Sequence, residues 1–292
     1  MKKIAFIGAT GMLGKPVAEE FINAGYTVNA MVRSIEKAKK LLPQECENFQ
    51  GDLQNEEDLN KLLKDSEIVY LNLALDKSSK ESDFQPERDG IDNILKSAKK
   101  NGTKRIMMIS SIVMNYQGVN NFDWWVFRIK HECVKKVKNS GIPYTIFYPS
   151  SLMETFNSEM IQNNRMTISK ETTVKNWWIS CNDYGKQVVK SLELTPGNEC
   201  KEYTVQGPVG LTMKEAATLF VDNYSKAKIK ISYAPMFALK IMKLIPGKFN
   251  YLGNIVEALI KYNEKFTSQK TWDELGKPTT TIEEYAKSLS SK

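Results

Sequence analysis

Three glycines close to the N-terminus constrain the fold of this chain more than any other feature of its sequence. Gly8, Gly11 and Gly14 follow directly on a short apolar run at residues 4–7, which is typical of a buried strand. In such a triplet the first glycine permits a tight turn from strand to helix, the second lets the backbone approach a pyrophosphate, and the third lets the helix pack on the strand. The N-terminus of the helix then offers its N–H groups to the phosphates. The predicted dinucleotide-binding turn comprises Gly8, Thr10, Gly11, Met12, Leu13 and Gly14.

Beyond this turn, short apolar segments alternate with segments of helical periodicity through the first half of the chain. Strands that alternate with helices form parallel βαβ units. The expected fold class is therefore α/β, a doubly wound parallel sheet with a smaller, mainly helical C-terminal lobe. We expect a cofactor-binding core at residues 1–150 and a substrate-binding lobe at residues 151–292, which returns some strands and helices to the core. In the lobe, Asp183 is predicted to cap one helix and Thr212 to open another through a capping box with Glu215.

The charge balance limits the classes of partner. The 292 residues carry 41 lysines and arginines against 34 aspartates and glutamates, a formal net charge of +7. Residues 1–150 have 22 basic and 19 acidic residues, and residues 151–292 have 19 and 15, so the excess is shared almost evenly. Nucleic-acid-binding proteins cluster their basic residues, and a membrane-spanning helix needs ~18 or more consecutive apolar residues. We therefore expect neither a nucleic-acid nor a membrane partner.

Cysteine and histidine usage restricts the chemistry further. The four cysteines, Cys46, Cys133, Cys181 and Cys200, show no C-x-x-C spacing, and His131 is the single histidine. A zinc site built from Cys and His pairs is therefore not expected, and a Ser-His-Asp triad would depend on His131 as its base. Isolated cysteines in a chain of this size are typical of a reduced protein. We accordingly expect no metal site and a cytoplasmic location.

The end of the second predicted strand, at residues 28–32, distinguishes between the two nicotinamide cofactors. An acidic residue at this place binds the ribose 2′-hydroxyl of NAD, but here the strand is followed by Arg33 and Ser34. An arginine next to a small hydroxyl suits the 2′-phosphate of NADP, to which it donates charge-assisted hydrogen bonds. The sequence therefore favours NADP over NAD. The alternative is that Arg33 is simply a solvent-exposed residue at the end of a strand.

Several longer segments occur in a recognisable order: MVRS at 31–34, GDL at 51–53, ISS at 109–111 and GIPYTIFYPS at 141–150. Further along lie WWISCNDYGK and EYTVQGPVGLTMKEAA. Together with GATGMLG, these segments make the chain resemble the atypical short-chain dehydrogenase/reductases, specifically the NmrA-like and isoflavone-reductase-like members. The resemblance extends over about residues 1–220.

The resemblance implies further contacts along the cofactor. Asp52 would accept a hydrogen bond from the adenine amino group, and Leu53 would cover the adenine ring. Leu73 and Ala74 would pass close to the riboses. Asp52 also has a simpler interpretation as a turn residue after Gly51, because aspartate readily occupies turns.

The same resemblance implies a catalytic site at the end of the fifth predicted strand, where Ser110 or Ser111 would lie beside the nicotinamide. The family's usual pair is Tyr-x-x-x-Lys on one helix face, but here Val126 precedes Lys130 at that spacing. Isoflavone-reductase-like members also lack the tyrosine and use a lysine at the interval that separates Lys130 from Gly141. Lys130 would then act with Ser111 as proton donor or substrate orienter, with a pKa lowered by partial desolvation and the pyridinium charge. Alternatively, Lys130 only binds the nicotinamide ribose or lies on a solvated helix face.

Two functions of different classes follow from these residues. The first is NADPH-dependent hydride transfer to a small carbonyl or quinone-like substrate, in which the protein supplies orientation and a proton. The second is a non-catalytic, NADP(H)-sensing regulatory protein of the NmrA type, which the valine at position 126 favours. A sugar-nucleotide epimerase or dehydratase has a similar fold, but its chemistry depends on the tyrosine base that is missing here.

Overall fold

A seven-stranded parallel sheet forms the centre of the computed structural model, which describes residues 2–169, 173–195 and 197–290. The strands are β1 (Lys3–Ile7), β2 (Thr27–Val32), β3 (Glu47–Gln50), β4 (Ile68–Leu71), β5 (Arg105–Ile109), β6 (Tyr144–Pro149), β7 (Ile161–Gln162), β8 (Arg165–Ser169), β9 (Lys175–Trp177), β10 (Lys201–Val205), β11 (Gly210–Thr212) and β12 (Lys230–Ala234). The α-helices are α1 (Gly14–Asn23), α2 (Ile35–Leu41), α3 (Glu56–Leu63), α4 (Ile91–Lys100), α5 (Trp125–Lys138), α6 (Cys181–Leu194), α7 (Met213–Asn223), α8 (Met236–Leu244), α9 (Lys248–Lys261), α10 (Gln269–Leu275) and α11 (Ile282–Ser290). Short 3₁₀ or π-helical turns lie at Pro86–Gly90, Ile112–Tyr116, Val119–Asn121 and Phe156–Met160.

The central sheet has the strand order β10-β6-β5-β4-β1-β2-β3, and every neighbouring pair is parallel. Successive side chains of β1 point to opposite cores. Ile4 and Phe6 pack in the core that includes α1 and α6, whereas Ala5 and Ile7 pack in the core that includes α3, α4 and α5. Burial on both faces explains why these strands read as nearly continuous apolar runs. The predicted α/β fold with a doubly wound parallel sheet is confirmed.

The chain after residue 150 builds a smaller, mainly helical part and also completes the central sheet. Strand β10 pairs with β6 in parallel, with Tyr203 opposite Phe147, and α6 packs on α1. The smaller part has its own core, in which the ring of Phe156 stacks on those of Trp178 and Phe220 at centroid distances of 4.5 and 4.9 Å. Around this core lie the three-stranded sheet β12-β8-β7 and the helices α7 and α11.

Of the two helix N-termini predicted in this part, the one at Thr212 is confirmed and the one at Asp183 is wrong. Thr212 opens α7 through a full capping box, because its Oγ1 accepts the Glu215 N–H at 3.3 Å while the Glu215 carboxylate accepts the Thr212 N–H at 2.8 Å. The prediction for Asp183 is wrong, because Ser180 caps α6 and accepts the Asp183 N–H at 3.1 Å. Asp183 lies too far into the helix to cap it, and it accepts the N–H groups of residues 279–280 at 3.1 and 2.9 Å instead.

A buried carboxyl group attaches the C-terminal segment to the edge of the sheet where the strands end. Glu264 accepts hydrogen bonds from the Ser150 hydroxyl at 2.8 Å and from the Gln206 amide at 2.6 Å. Ser150 follows β6 and Gln206 follows β10. Burial raises the pKa of Glu264 to about 7, although both hydrogen bonds favour its charged form. The segment around Glu264 is thereby fixed against the ends of two adjacent strands.

Candidate cofactor and active site

The turn between β1 and α1 lies where backbones come too close for a side chain. Gly8 has a φ of 85°, and a Cβ atom on it would lie 2.0 Å from the carbonyl oxygen of Asn72, which follows β4. A Cβ atom on Gly14 would lie 1.5 Å from the carbonyl oxygen of Ala9. The Asn72 side-chain amide donates a hydrogen bond to the Gly8 carbonyl at 3.1 Å. Only glycine fits at positions 8 and 14, so the turn is tight and α1 begins directly against β1.

Gly11 differs from these two glycines because it has more space around it. A Cβ atom on Gly11 would lie 3.2 Å from its nearest neighbour, the side-chain nitrogen of Asn72. Thr10 and Met12 on either side are exposed, whereas Leu13 is buried. Within the described helix α1, the N-terminus has neither a capping side chain nor an acidic residue in its first turn. The Gly14 N–H donates to the Gly11 carbonyl at 2.9 Å, whereas the N–H groups of Met12 and Leu13 have no backbone partner among the described residues and are available to an anion. This backbone cradle fits the pyrophosphate of a dinucleotide.

Arg33 and Ser34 follow β2, next to β1, and lie at the same edge of the sheet as the glycine turn. The Arg33 side chain is exposed, whereas the Ser34 hydroxyl caps α2 by accepting the Lys37 N–H at 3.3 Å. The pKa of Asp76 lies below its ordinary value because Ser78 donates hydrogen bonds to it and because the Arg33 charge is close. Asp76 follows β4 and Arg33 follows β2, and these two strands flank β1. The Arg33 charge therefore lies close enough to the glycine turn to act on a carboxylate on its other side.

Asp52 and Leu53 follow β3, at the outer edge of the central sheet. Asp52 is exposed, and its Oδ1 accepts the Gln54 N–H at 2.8 Å in a local turn. Leu53 is half-buried and lies against Gly90, where a Cβ atom would be 3.0 Å from the Leu53 Cδ1. The Oδ1 atom of Asp52 thus stabilises the local turn, as the simpler interpretation expects. A hydrogen bond from adenine would be accepted by its other carboxylate oxygen.

The ends of the adjacent strands β4 and β5 carry the remaining candidate residues. Leu73 is buried and Ala74 is exposed after β4. After β5, the Ser110 hydroxyl is buried and donates a weak hydrogen bond to the Met114 sulfur at 3.3 Å. Ser111 is half-buried at the start of the following 3₁₀ turn, whose N–H groups it does not cap. Of the two serines, Ser111 is the more accessible to a ligand.

A buried ion pair involves the lysine that the resemblance implies as catalytic. Lys130 Nζ, on α5, lies 2.8 Å from Glu87 Oε1, in the π-helical turn before α4. The side chain of Lys130 is 19% exposed and that of Glu87 only 5%. Within the described parts of the chain, Oε2 of Glu87 has no hydrogen-bond partner. A buried carboxylate oxygen without a partner is costly, so this atom marks a position where a bound hydroxyl group would be accepted.

The pair fixes the protonation state of Lys130. Burial acts to lower the pKa of Lys130, but the charge and the hydrogen bond of Glu87 outweigh it, so the pKa lies above its ordinary value. The expected lowering of this pKa is therefore wrong, because sequence reasoning did not include Glu87. Lys130 retains its proton at neutral pH and is a fixed positive charge and hydrogen-bond donor.

Helix α9 brings an aromatic side chain, Tyr251, close to this ion pair. The ring of Tyr251 meets that of Trp124 edge to face, with the centroids 5.2 Å apart. Burial raises the pKa of Tyr251, the Lys130 charge acts in the opposite direction, and Glu159 and Glu87 add to the rise. The phenol is thus near both members of the pair. Sequence reasoning missed Tyr251 because it comes from a helix far along the chain that lies outside the segments carrying the resemblance.

The described ranges 2–169, 173–195 and 197–290 contain neither a metal-binding cluster nor a membrane-spanning helix. No three His, Cys, Asp or Glu side chains in them gather closely enough to hold a metal ion. No helix in these ranges combines the length and the apolar character needed to cross a bilayer.

Comparison with known proteins gives one family and several distant relatives. A model of the NAD(P)H-binding family matches residues 8–194. The photosystem II assembly factor Ycf39 of Trieres chinensis is 26% identical over 261 residues, which cover 88% of this chain and 79% of the relative. An NADPH-dependent quinone oxidoreductase from Escherichia coli, solved with NADPH, has a TM-score of 0.76 at 22% identity over 98% of this chain and 99% of its own. A nucleoside-diphosphate-sugar epimerase from Staphylococcus aureus has a TM-score of 0.75 at 19% identity over 98% and 100%.

The chain therefore belongs to the NAD(P)H-binding family, and the matched region begins at Gly8, the first glycine of the turn. The resemblance to the atypical short-chain dehydrogenase/reductases is confirmed. The two solved structures share the fold at identities too low to transfer a substrate from either of them.

Alanine at Gly11 and at Gly14 should separate cofactor binding from packing. Gly11→Ala should unfold at nearly the wild-type temperature, because small shifts accommodate its Cβ. Its NADPH affinity should fall at least about ten-fold, or ~1.4 kcal/mol, because the methyl group occupies the space that the pyrophosphate needs.

Gly14→Ala should lose about 1–3 kcal/mol of stability or more, because its Cβ overlaps the Ala9 backbone. Thermal unfolding and calorimetric titration measure both effects, and unchanged affinity in Gly11→Ala would place the pyrophosphate elsewhere.

Proposed function

We propose that this protein is an NADPH-dependent reductase that acts on a small carbonyl or quinone-like substrate. The observation that carries the proposal is the buried pair of Lys130 and Glu87, because it keeps a protonated amine on α5, the helix that contacts the 3₁₀ turn after β5. When bound, the nicotinamide supplies the hydride from its C4 atom. The residues of the chain bind and orient both reactants and provide the proton.

Cofactor binding is assigned to the edge where the parallel strands end. The glycine turn would hold the pyrophosphate at the N-terminus of α1, and Arg33 would donate to the 2′-phosphate of NADPH. In this proposal residues 1–150 bind the cofactor, and residues 151–292 shape the substrate pocket while β10 and α6 complete the core. The further cofactor contacts are Thr10, Met12, Leu13, Ser34, Asp52, Leu53, Leu73, Ala74, Ser110 and Lys130.

Lys130 is the proposed proton donor. A carbonyl oxygen gains negative charge when its carbon receives hydride, and it then needs a proton. A protonated amine stabilises that charge and delivers the proton, and Glu87 keeps Lys130 protonated and in position. Ser111 would orient the same oxygen. Tyr251 brings a phenol near Lys130, although Val126 stands where the family's usual tyrosine would be.

A second candidate is a protein that binds NADP(H) without turnover. It is favoured by Val126, and by the ion pair itself, because a lysine held by a buried carboxylate can serve binding alone. The similarity to a photosystem II assembly factor agrees with a role other than catalysis. The reductase is the primary proposal because Lys130 is a protonated donor at the position that the resemblance implies for the catalytic lysine.

One assay distinguishes these candidates. NADPH oxidation is followed by its absorbance with a panel of quinones and enals, and NADPH binding is measured on the same preparation. Turnover with at least one acceptor supports the reductase. NADPH binding without oxidation by any acceptor supports the sensor and contradicts the reductase.

Arg33→Ala tests the choice of cofactor. The substitution should weaken NADPH binding by ~1.5–3 kcal/mol, the usual size of a hydrogen bond to a charged group, and should leave NADH binding nearly unchanged. Lys39→Ala, which removes another exposed positive charge from the adjacent helix α2, is the matched control and should leave both affinities near wild type. Equal losses for NADPH and NADH in Arg33→Ala would contradict the assignment.

Lys130→Ala tests the proton donor. It should lower kcat by about 10²–10⁴-fold, the usual contribution of general acid catalysis. Glu87→Gln should move the alkaline loss of kcat to lower pH, because removing the carboxylate lowers the pKa of Lys130 and only the protonated amine is active.

The matched control is Lys135→Ala, since Lys135 lies on the same helix and its side chain is exposed. It should leave kcat and its pH profile unchanged. If Lys130→Ala raises only the KM for NADPH and leaves kcat intact, Lys130 binds the ribose and is not the acid.

A further inference from the structure

Helix α8 presents an apolar face to solvent, which is the reverse of the usual arrangement on a folded protein. Phe237, Ile241 and Leu244 are 64%, 52% and 82% exposed, and Ile245 directly after the helix is also exposed. These residues have the spacing i, i+4, i+7 and i+8, so they fall within about 100° of the helix circumference. They form one stripe, which we call the apolar face of α8.

The opposite side of α8 makes the contact with the rest of the protein. Leu239 is the buried residue of α8, and Gly253 of α9 comes so close that a Cβ atom on it would lie 3.1 Å from the Leu239 carbonyl oxygen. Helix α9 in turn lies on the large core. In the α8–α9 hairpin, residues 236–261, α8 is therefore the outer helix. Phe249 and Leu252 of α9 are also exposed and add to the apolar surface of the hairpin.

Positive charge is concentrated in the segment of the chain that contains the hairpin. Residues 226–265 contain eight lysines and two glutamates, and thus carry +6 of the formal +7 of the whole chain. Glu264 is buried, and Glu257 is already paired with Lys243 and Lys261 at 2.7 Å each. In the described parts of this segment, the exposed lysines without an ion-pair partner are Lys226, Lys228, Lys230, Lys240, Lys248 and Lys265.

We propose that the α8–α9 hairpin docks on the surface of an anionic lipid bilayer. The exposed Phe, Ile and Leu side chains would enter the boundary between head groups and acyl chains, while the lysines contact anionic head groups. A second copy of this chain is a poorer occupant, because joining two such faces would bring two strongly positive segments together. A bilayer with anionic lipid supplies an apolar layer and opposite charge at the same surface.

This contact is interfacial and needs no spanning helix. It departs from the sequence-based expectation of no membrane partner. The charge count by halves divides the chain at residue 150 and dilutes the lysines of 226–265 with the acidic residues on either side. The exposure of the apolar face becomes visible only in the folded chain. The proposal is independent of the reductase activity.

Sedimentation of the full chain with vesicles tests the proposal. The wild type should sediment with phosphatidylglycerol vesicles at low salt, remain in solution with phosphatidylcholine vesicles, and be released from phosphatidylglycerol by added salt. The triple variant Phe237→Ser, Ile241→Ser, Leu244→Ser should bind at least about ten-fold more weakly, because it removes the inserted apolar surface. The double variant Lys240→Glu, Lys248→Glu should weaken binding about ten-fold or more through charge alone.

The matched control is Leu194→Ser with Val209→Ser, which removes two exposed apolar side chains outside the hairpin. This control should bind vesicles like the wild type. Thermal unfolding verifies that the variants are folded, and the lysine variant provides the test if the serine variant is not. Absence of wild-type binding to phosphatidylglycerol, or equal loss in the control, would overturn the proposal. Light scattering that shows a dimer, together with no vesicle binding and a monomeric serine variant, would assign the face to a second copy instead.

Discussion

The candidate cofactor site, at the end of the sheet where β1 leads into α1, depends on a backbone contact that excludes side chains. The carbonyl groups of Asn72 and Ala9 occupy the space that Cβ atoms at positions 8 and 14 would need. Because β1 and β4 are neighbours at the centre of the sheet, this contact fixes the start of α1 at the edge where the parallel strands end. Arg33 after β2 and Ser111 after β5 reach the same edge. The glycine turn, the exposed guanidinium and the half-buried hydroxyl therefore lie at the same end of the sheet, because the strands that precede them are parallel.

The parts of this arrangement that are predictable from sequence are those with local causes. The turn at residues 8–14 is recognisable because a tight strand-to-helix connection requires glycine at fixed spacing. The buried strands are recognisable because both faces of a parallel sheet are covered, as the alternating environments of Ile4 and Ala5 show. The capping box at Thr212 is correct because the Thr and Glu that form it are three residues apart. The cap at Ser180 was missed because Asp183, nearby in sequence, is an equally suitable capping residue type.

The features that sequence reasoning missed arise from contacts between distant segments. Glu87 meets Lys130 only because the π-helical turn before α4 packs against α5, and this pairing reverses the direction of the expected pKa shift of Lys130. Tyr251 reaches the same place from α9. The apolar face of α8 has the periodicity of an ordinary buried helix face, and only the folded chain shows that this face points to solvent. In each case the residue types are visible in the sequence, but their surroundings are not.

A crystal structure of the protein with NADP⁺ would show where the cofactor lies relative to these residues. We expect the pyrophosphate within hydrogen-bond distance of the backbone N–H groups of Met12 and Leu13, and the 2′-phosphate at the Arg33 guanidinium. We also expect the nicotinamide ring on the side of Ser111 and the Lys130–Glu87 pair. A cofactor bound away from the glycine turn, or a nicotinamide ring separated from Lys130 by the protein core, would contradict the proposed site.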